Sequence, residues 1–204
     1  MRVHAAMVLL LASLACSCNR ETETRAPAKS DPALLKRQEK DKVFKYGPDS
    51  PLPDEERTRF QGLSYYQVNP AYRFKVTLHR YPDPEIVRFA TNTEERRQFL
   101  RYGYFEFEIQ GQKCRLQVYR AMDEGEDATL FVPFRDATSG KETYGGGRYL
   151  DLKENTSGAY ELDFNQAYNP YCAFGKNYSC PLPPRDNTLP VPVLAGEKNY
   201  PLPQ

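Results

Sequence analysis

Three acids and one arginine stand where the chain is richest in groups that do chemistry: Asp136, Asp151 and Asp163, with Arg148 among them. Paired carboxylates can act as acid and base on a glycosidic bond, so Asp136 and Asp163 define a hydrolase reading. Asp163 with Asn165 could instead offer oxygens to calcium. Plainer readings stand beside both. Asp136 precedes Ala137-Thr138-Ser139-Gly140, ordinary turn chemistry, and Asp163 ends a strand-like run. Histidine chemistry is nearly excluded by number, because the two histidines are His4, close to the N-terminus, and His79, on the polar face of a strand. Cys172 and Cys180 lack the spacing of a zinc knuckle and have no second ligand pair, so no metal is expected. The glycines of TYGGGRYLDL fit neither phosphate-binding pattern and lead into a strand rather than a helix, so no cofactor is implied. Gly145 to Gly147 suit a bulge or a close backbone approach.

The chain of 204 residues has room for one ordinary domain. Arg2 is followed by AAMVLLLASLA, an apolar run of signal-peptide length that is too short to span a bilayer comfortably. The following Ser-Leu-Ala-Cys-Ser-Cys-Asn resembles a lipobox, with Cys18 as the lipidated residue and Cys16 as the alternative register. The expected division is a lipoprotein signal peptide over 1–18, a polar tether over 19–31 and a single mostly-β domain over 32–204. Export and lipid anchoring to the bacterial cell envelope, at the outer membrane, follow from that reading. In an oxidising compartment, Cys172 and Cys180 are expected to form a disulfide. Cys114 reads as a small core residue. A net charge of +1, with acids and bases interspersed, argues against a nucleic-acid partner.

The elements that must position these residues are mostly strands. Seventeen prolines and twelve glycines point to a turn-rich fold rather than a bundle. Pro32 to Tyr46 predicts a helix capped by Asp31, with apolar residues only at its two ends. DEERTRF has the acidic first turn of a second helix. In YRFKVTLHRY, Phe74, Val76 and Leu78 alternate with polar residues, as in a half-buried strand. Glu85 to Thr91 is another strand candidate, and Glu94 to Arg101 a possible helical turn. GYFEFEIQGQKCRLQVYR predicts a hairpin turning at Gln110-Gly111, which sets Phe107 opposite Cys114 and Phe105 opposite Leu116. ATLFVPF, RYLDL and AYELDFN add three strands. The fold class expected is mainly β, an antiparallel sandwich or barrel-like domain with one or two short N-terminal helices. The proline-rich segment after Cys180 is expected to run extended over the surface.

FVPFRDATSGKETYGGGRYLDL and LDFNQAYNPYCAFGKNYSCPLPPRDNTLPVPVLAGEKNY closely resemble the signature of domain-of-unknown-function family 1684, which occurs in exported bacterial and in archaeal proteins. The resemblance runs from about Ser50 to Tyr200 and implies no particular activity. It departs at Phe174-Gly175, where the pattern has tyrosine and asparagine. Tyrosine faces, amides and one guanidinium suit recognition of a polar ligand such as a saccharide or peptide, with Arg148, Tyr144, Asn165, Tyr168 and Asn169 as the binding residues. That makes a non-catalytic binding or envelope-accessory module the leading expectation. A hydrolase using Asp136 and Asp163 is the first alternative, and a motif that merely locks the fold is the second. Convergence of Asp136, Arg148 and Asp163 in an open pocket favours a ligand or catalysis. Their burial among satisfied partners favours the scaffold.

Overall fold

The computed structural model describes residues 31–122, 129–175 and 178–200. Both lipidation candidates, Cys16 and Cys18, the tether as far as residue 30, and Asn177 of the disulfide loop lie outside the described residues. Among the described residues, no helix is long and apolar enough to cross a membrane.

Helix α1 spans Pro32–Tyr46, and α2 spans Asp54–Arg59. The Asp31 carboxylate accepts from the Ala33 amide at 2.9 Å, and Pro32 fills the first position, where its missing N–H loses nothing. Only Ala33 and Phe44 of α1 are buried. Phe44 packs with Leu52, Phe60, Leu63, Ala173 and Phe174, so α1 is clamped near its C-terminal end against α2 and the disulfide loop.

The strands form two antiparallel sheets. Strand β1 (Arg73–Thr77) pairs with β7 (Ala159–Asp163). The larger sheet runs β2 (His79–Ala90), β3 (Arg96–Ile109), β4 (Gln112–Ala121), β5 (Thr129–Phe134) and β6 (Arg148–Lys153) in that order. The inward residues of both sheets form one core, with Val76, Tyr160 and Leu162 from the small sheet meeting Phe105, Leu116, Val118, Leu130 and Val132 from the large one. The result is a mainly β domain of the sandwich or barrel-like kind. The β3–β4 hairpin has the predicted register, Phe107 opposite Cys114 and Phe105 opposite Leu116. Its two turn residues, Gln110 and Gly111, both have positive φ (52° and 76°), as a two-residue hairpin requires.

Three expectations are corrected. YRFKVTLHRY is not one strand. The chain changes sheets at Leu78, whose amide bonds the Gly158 carbonyl, so β1 and β2 belong to different layers. Glu94 to Arg101 contains no helical turn. Arg96 onward is already β3, because Phe99 pairs with Val87 and its ring packs at a tilt against Phe89 across the ladder, and that pairing overrides local helix preference. Third, the C-terminal segment is extended but does not run over the surface. Leu189, Val191, Val193 and Ala195 point into the core at every second position, all at most 3% exposed.

A disulfide joins Cys172 and Cys180, whose Cα atoms are 6.3 Å apart, and Cys114 is free and buried. Asn92, just past β2, fastens the bridged loop to the sheet. Its Oδ1 accepts from the Cys180 amide at 2.6 Å and its Nδ2 donates to the Tyr178 carbonyl at 2.9 Å.

Candidate functional site

Arg148 opens β6 immediately after three glycines. No Cβ would fit at Gly147, which has φ +93° and would place one 2.7 Å from the Phe134 carbonyl oxygen. That close approach seats Arg148 inside the molecule, its side chain 1% exposed, with its guanidinium 5.2 Å from the Phe134 ring centroid. Nη2 donates to Asp136 Oδ2 at 2.6 Å and to the Val193 carbonyl at 3.0 Å. Nη1 donates to the carbonyls of Ala195 and Glu197, at 2.5 and 3.2 Å. The C-terminal segment bonds the backbones of Arg135 and Ala137 before Val193 and those of Ser64 and Tyr66 after Ala195, and Pro190 and Pro192 offer no N–H groups of their own. Arg148 supplies the donors for the three alternate carbonyls of Val193, Ala195 and Glu197. Asp136 is equally committed, since its Oδ1 accepts from the Thr138 amide and hydroxyl, at 2.7 and 2.5 Å. Burial pulls the Arg148 pKa down, and the Asp136 carboxylate opposes that shift.

Asp163 belongs to a second network. It accepts from Arg73 Nε at 3.1 Å, from the Asn165 amide and side chain at 3.0 and 2.8 Å, and from Gln166 at 3.0 Å. Asn165 in turn binds the Asn69 backbone with both ends of its side chain. Asn165 therefore presents nitrogen to Asp163, which removes the geometry a calcium pair would need. Among the described residues no group of acids, cysteines and histidines could hold a metal ion.

A third network ties α1 to the domain. Lys40 Nζ donates to Glu197 Oε2 at 2.6 Å, while Asn169 donates to Glu197 through its amide and its side chain, at 3.2 and 3.1 Å. The Lys40 ammonium also lies 5.1 to 5.3 Å from the ring centroids of Phe44, Tyr168 and Phe174. Burial lowers the Lys40 pKa and raises that of Glu197, and each partner resists the shift of the other.

Above this third network lies an open cleft of about 820 Å³ between α1, β6 and the segment from Asn165 to Pro181. Its walls carry Tyr65, Tyr149, Tyr168, Tyr171 and Tyr178, with Arg37, Lys40, Asp151 and Arg97. The rings are held in place. The backbones of Tyr149 and Tyr168 exchange both hydrogen bonds, at 2.9 and 3.0 Å, and their rings meet edge to face at 5.7 Å. The Tyr168 hydroxyl donates to Asp151 at 2.5 Å, and burial followed by that carboxylate pushes the phenol pKa up. Tyr171 and Tyr178 meet edge to face at 5.2 Å across the disulfide loop. Such a site can bind a small polar ligand by ring faces and charged groups.

Of the residues singled out by sequence, Asp151, Asn165, Tyr168 and Cys180 line the cleft. Asn169 stands behind it, bonded to Glu197. Tyr144 packs on the second core cluster, with its ring against Gly146. Asp136 and Arg148 are buried together in one network and Asp163 in another, and the three do not converge on open space. Arg37, Lys40, Tyr65, Tyr149, Arg97 and Glu197 were missed. The available signal was the polar centre of α1, where Arg37 and Lys40 follow Ala33 at helical spacing and thus share its buried face. Asn187, fully buried, was missed as well. It bonds the backbone of Gln117 on β4 and the Pro133 carbonyl on β5.

The geometry defines a β-rich domain with a tyrosine-walled cleft beside a buried arginine lock. Residues 58–198 match the family model described as "Protein of unknown function (DUF1684)", and the chain belongs to that family. The solution NMR structure of an uncharacterized protein of Haloarcula marismortui is similar, with 40% identity and a TM-score of 0.65 over 81% of this chain and 91% of that one. No curated protein matches the chain.

Proposed function

We propose that this protein is a non-catalytic binding module of the bacterial cell envelope, and that its site is the cleft between α1 and the disulfide loop. The observation that carries the reading is the set of five tyrosines converging on one open space with charged groups between them. Tyrosine faces stack on sugar rings, and flanking guanidinium, ammonium and carboxylate groups bond hydroxyls, so a saccharide is the favoured ligand. A peptide would add to a strand edge. At this cleft Tyr168 already occupies both backbone groups of Tyr149 on the β6 edge. The hydrolase alternative is disfavoured because Asp136 and Asp163 are each committed to fold-holding partners.

The test is an NMR titration of the full chain in detergent with a panel of methyl glycosides. Amide shifts clustered at residues 36–43, 149–151 and 168–181 are the expected result. Shifts confined to the outer face of β2 to β4, or none at millimolar sugar, overturn the reading.

The envelope location rests on the apolar run and Cys18, with Cys16 as the alternative, which would carry the lipid. Intact mass of membrane-extracted protein tests it. An acylated N-terminal cysteine is expected, and an unmodified chain starting beyond Asn19 would overturn it.

A further inference from the structure

The face that α1 turns to the cleft has an unusual composition. Ala33, Lys36, Arg37, Lys40, Val43 and Phe44 recur with the helical period, one stripe along α1, and all line the cleft. A helix lying on a domain ordinarily shows an apolar stripe there. This one is apolar at its ends and cationic in the middle. Arg97 adds a fourth cation from the β3 wall.

Only part of this charge is matched. Lys40 has Glu197 at 2.6 Å. Both hydrogen bonds of Arg37 go to neutral carbonyls, those of Tyr66 and Asn165, at 2.9 and 3.0 Å. Among the described residues Lys36 and Arg97 form no ion pair. Of the acids in the walls, Glu39 reaches Lys42 at 3.8 Å and Asp151 accepts the Tyr168 hydroxyl. Cations therefore exceed available acids along the cleft, an excess that draws anions toward it.

We infer that the ligand of the cleft is an anionic saccharide, its sugar ring against the tyrosines and its carboxylate or phosphate between Lys36, Arg37 and Arg97. This rests on the cleft being the binding site. Arg97 offers a planar N–H pair suited to two anionic oxygens, Lys36 adds a mobile point charge, and Arg37, whose two terminal nitrogens already bond carbonyls, adds its positive charge.

The experiment titrates the full chain in detergent with methyl galactoside, galacturonate, the methyl ester of galacturonate and galactose 6-phosphate, following cleft amides by NMR. The inference predicts that one or both charged sugars bind at least about tenfold more tightly than galactoside and ester, the size of one charged hydrogen bond. The tighter of the two distinguishes a carboxylate ligand from a phosphate one. Raising salt should weaken the charged sugar and leave the galactoside unchanged. The double variant Lys36→Gln/Arg97→Gln should erase the preference, whereas Lys113→Gln on the distant hairpin should not. Equal binding of galacturonate and its ester overturns the inference but leaves the cleft as the site. Cleft amides that respond to none of the four sugars overturn both.

Discussion

Glu197, with its side chain fully buried, receives the ammonium of Lys40 at 2.6 Å, and this pair joins helix α1 to the C-terminal segment 157 positions later. The two ends of the domain are thus fastened at the floor of the cleft. A charge in that position is tolerated only while its partner is present. Glu197→Gln should destabilise the fold by about 3 kcal/mol, at the low end for a broken buried pair because Lys40 keeps some hydration. The double variant Lys40→Met/Glu197→Gln should recover much of that loss. Urea unfolding of the four forms checks it, and additive losses would contradict the account.

Arg148 should be replaceable by neither alanine nor lysine. Alanine leaves Asp136 buried without its counter-charge and three carbonyls without donors, a loss of about 3–5 kcal/mol or outright unfolding. Lysine restores charge but cannot reach Asp136 and alternate carbonyls together, so it should remain clearly destabilised. Thermal denaturation of both variants decides, and a lysine form as stable as the parent would refute the fork argument.

Sequence reasoning read the hairpin register, both helices and the strand-ending position of Asp163, because each is set by local periodicity or turn chemistry. It held the fold-locking role of Arg148 only as a second alternative, and it went astray at the segment from Leu189 to Ala195. Those prolines suggested a surface strap, yet the intervening apolar residues alternate inward once an arginine satisfies their carbonyls. Nothing within the segment encodes that partner. The cleft was hidden for a similar reason. Arg37 and Lys40 look like a solvated helix face until Glu197, Asn165 and the tyrosines arrive from the far end of the chain.

Acid should weaken the anchoring of α1 through Asp31. Arg73 donates to both Asp31 oxygens, at 2.7 and 2.6 Å, and this contact holds the carboxyl below its ordinary 3.8. A carboxylate with a lowered folded pKa stabilises the protein above the unfolded value and loses that contribution as pH falls through the folded one. The loss should therefore begin below about pH 4. Asp31→Asn keeps a capping side chain but removes the ion pair, so it should lose about 1 kcal/mol at pH 6 and show a shallower decline towards pH 3. Urea midpoints at the two pH values test this, and parallel declines would contradict it.

The disulfide closes a short loop that carries Tyr178 against Tyr171, the residue just before the bridge, in the cleft wall. Cys172→Ser/Cys180→Ser should lose roughly 2–3 kcal/mol by the chain-entropy relation. Peptide mapping without reductant should recover the Cys172–Cys180 cross-link and leave Cys114 alkylated only after unfolding. A bridge to Cys114 would contradict both the loop and the core assignment.

The central claim, that the cleft and not the buried motif is the ligand site, is tested most directly by a crystal structure of the full chain soaked with galacturonate. The account predicts a sugar ring against Tyr168 or Tyr171 with its carboxylate within about 3 Å of Arg37, Lys36 or Arg97. Asp136, Arg148 and Asp163 should be unmoved. A sugar ordered elsewhere on the surface, or one that displaces Arg148 from Asp136, would contradict it.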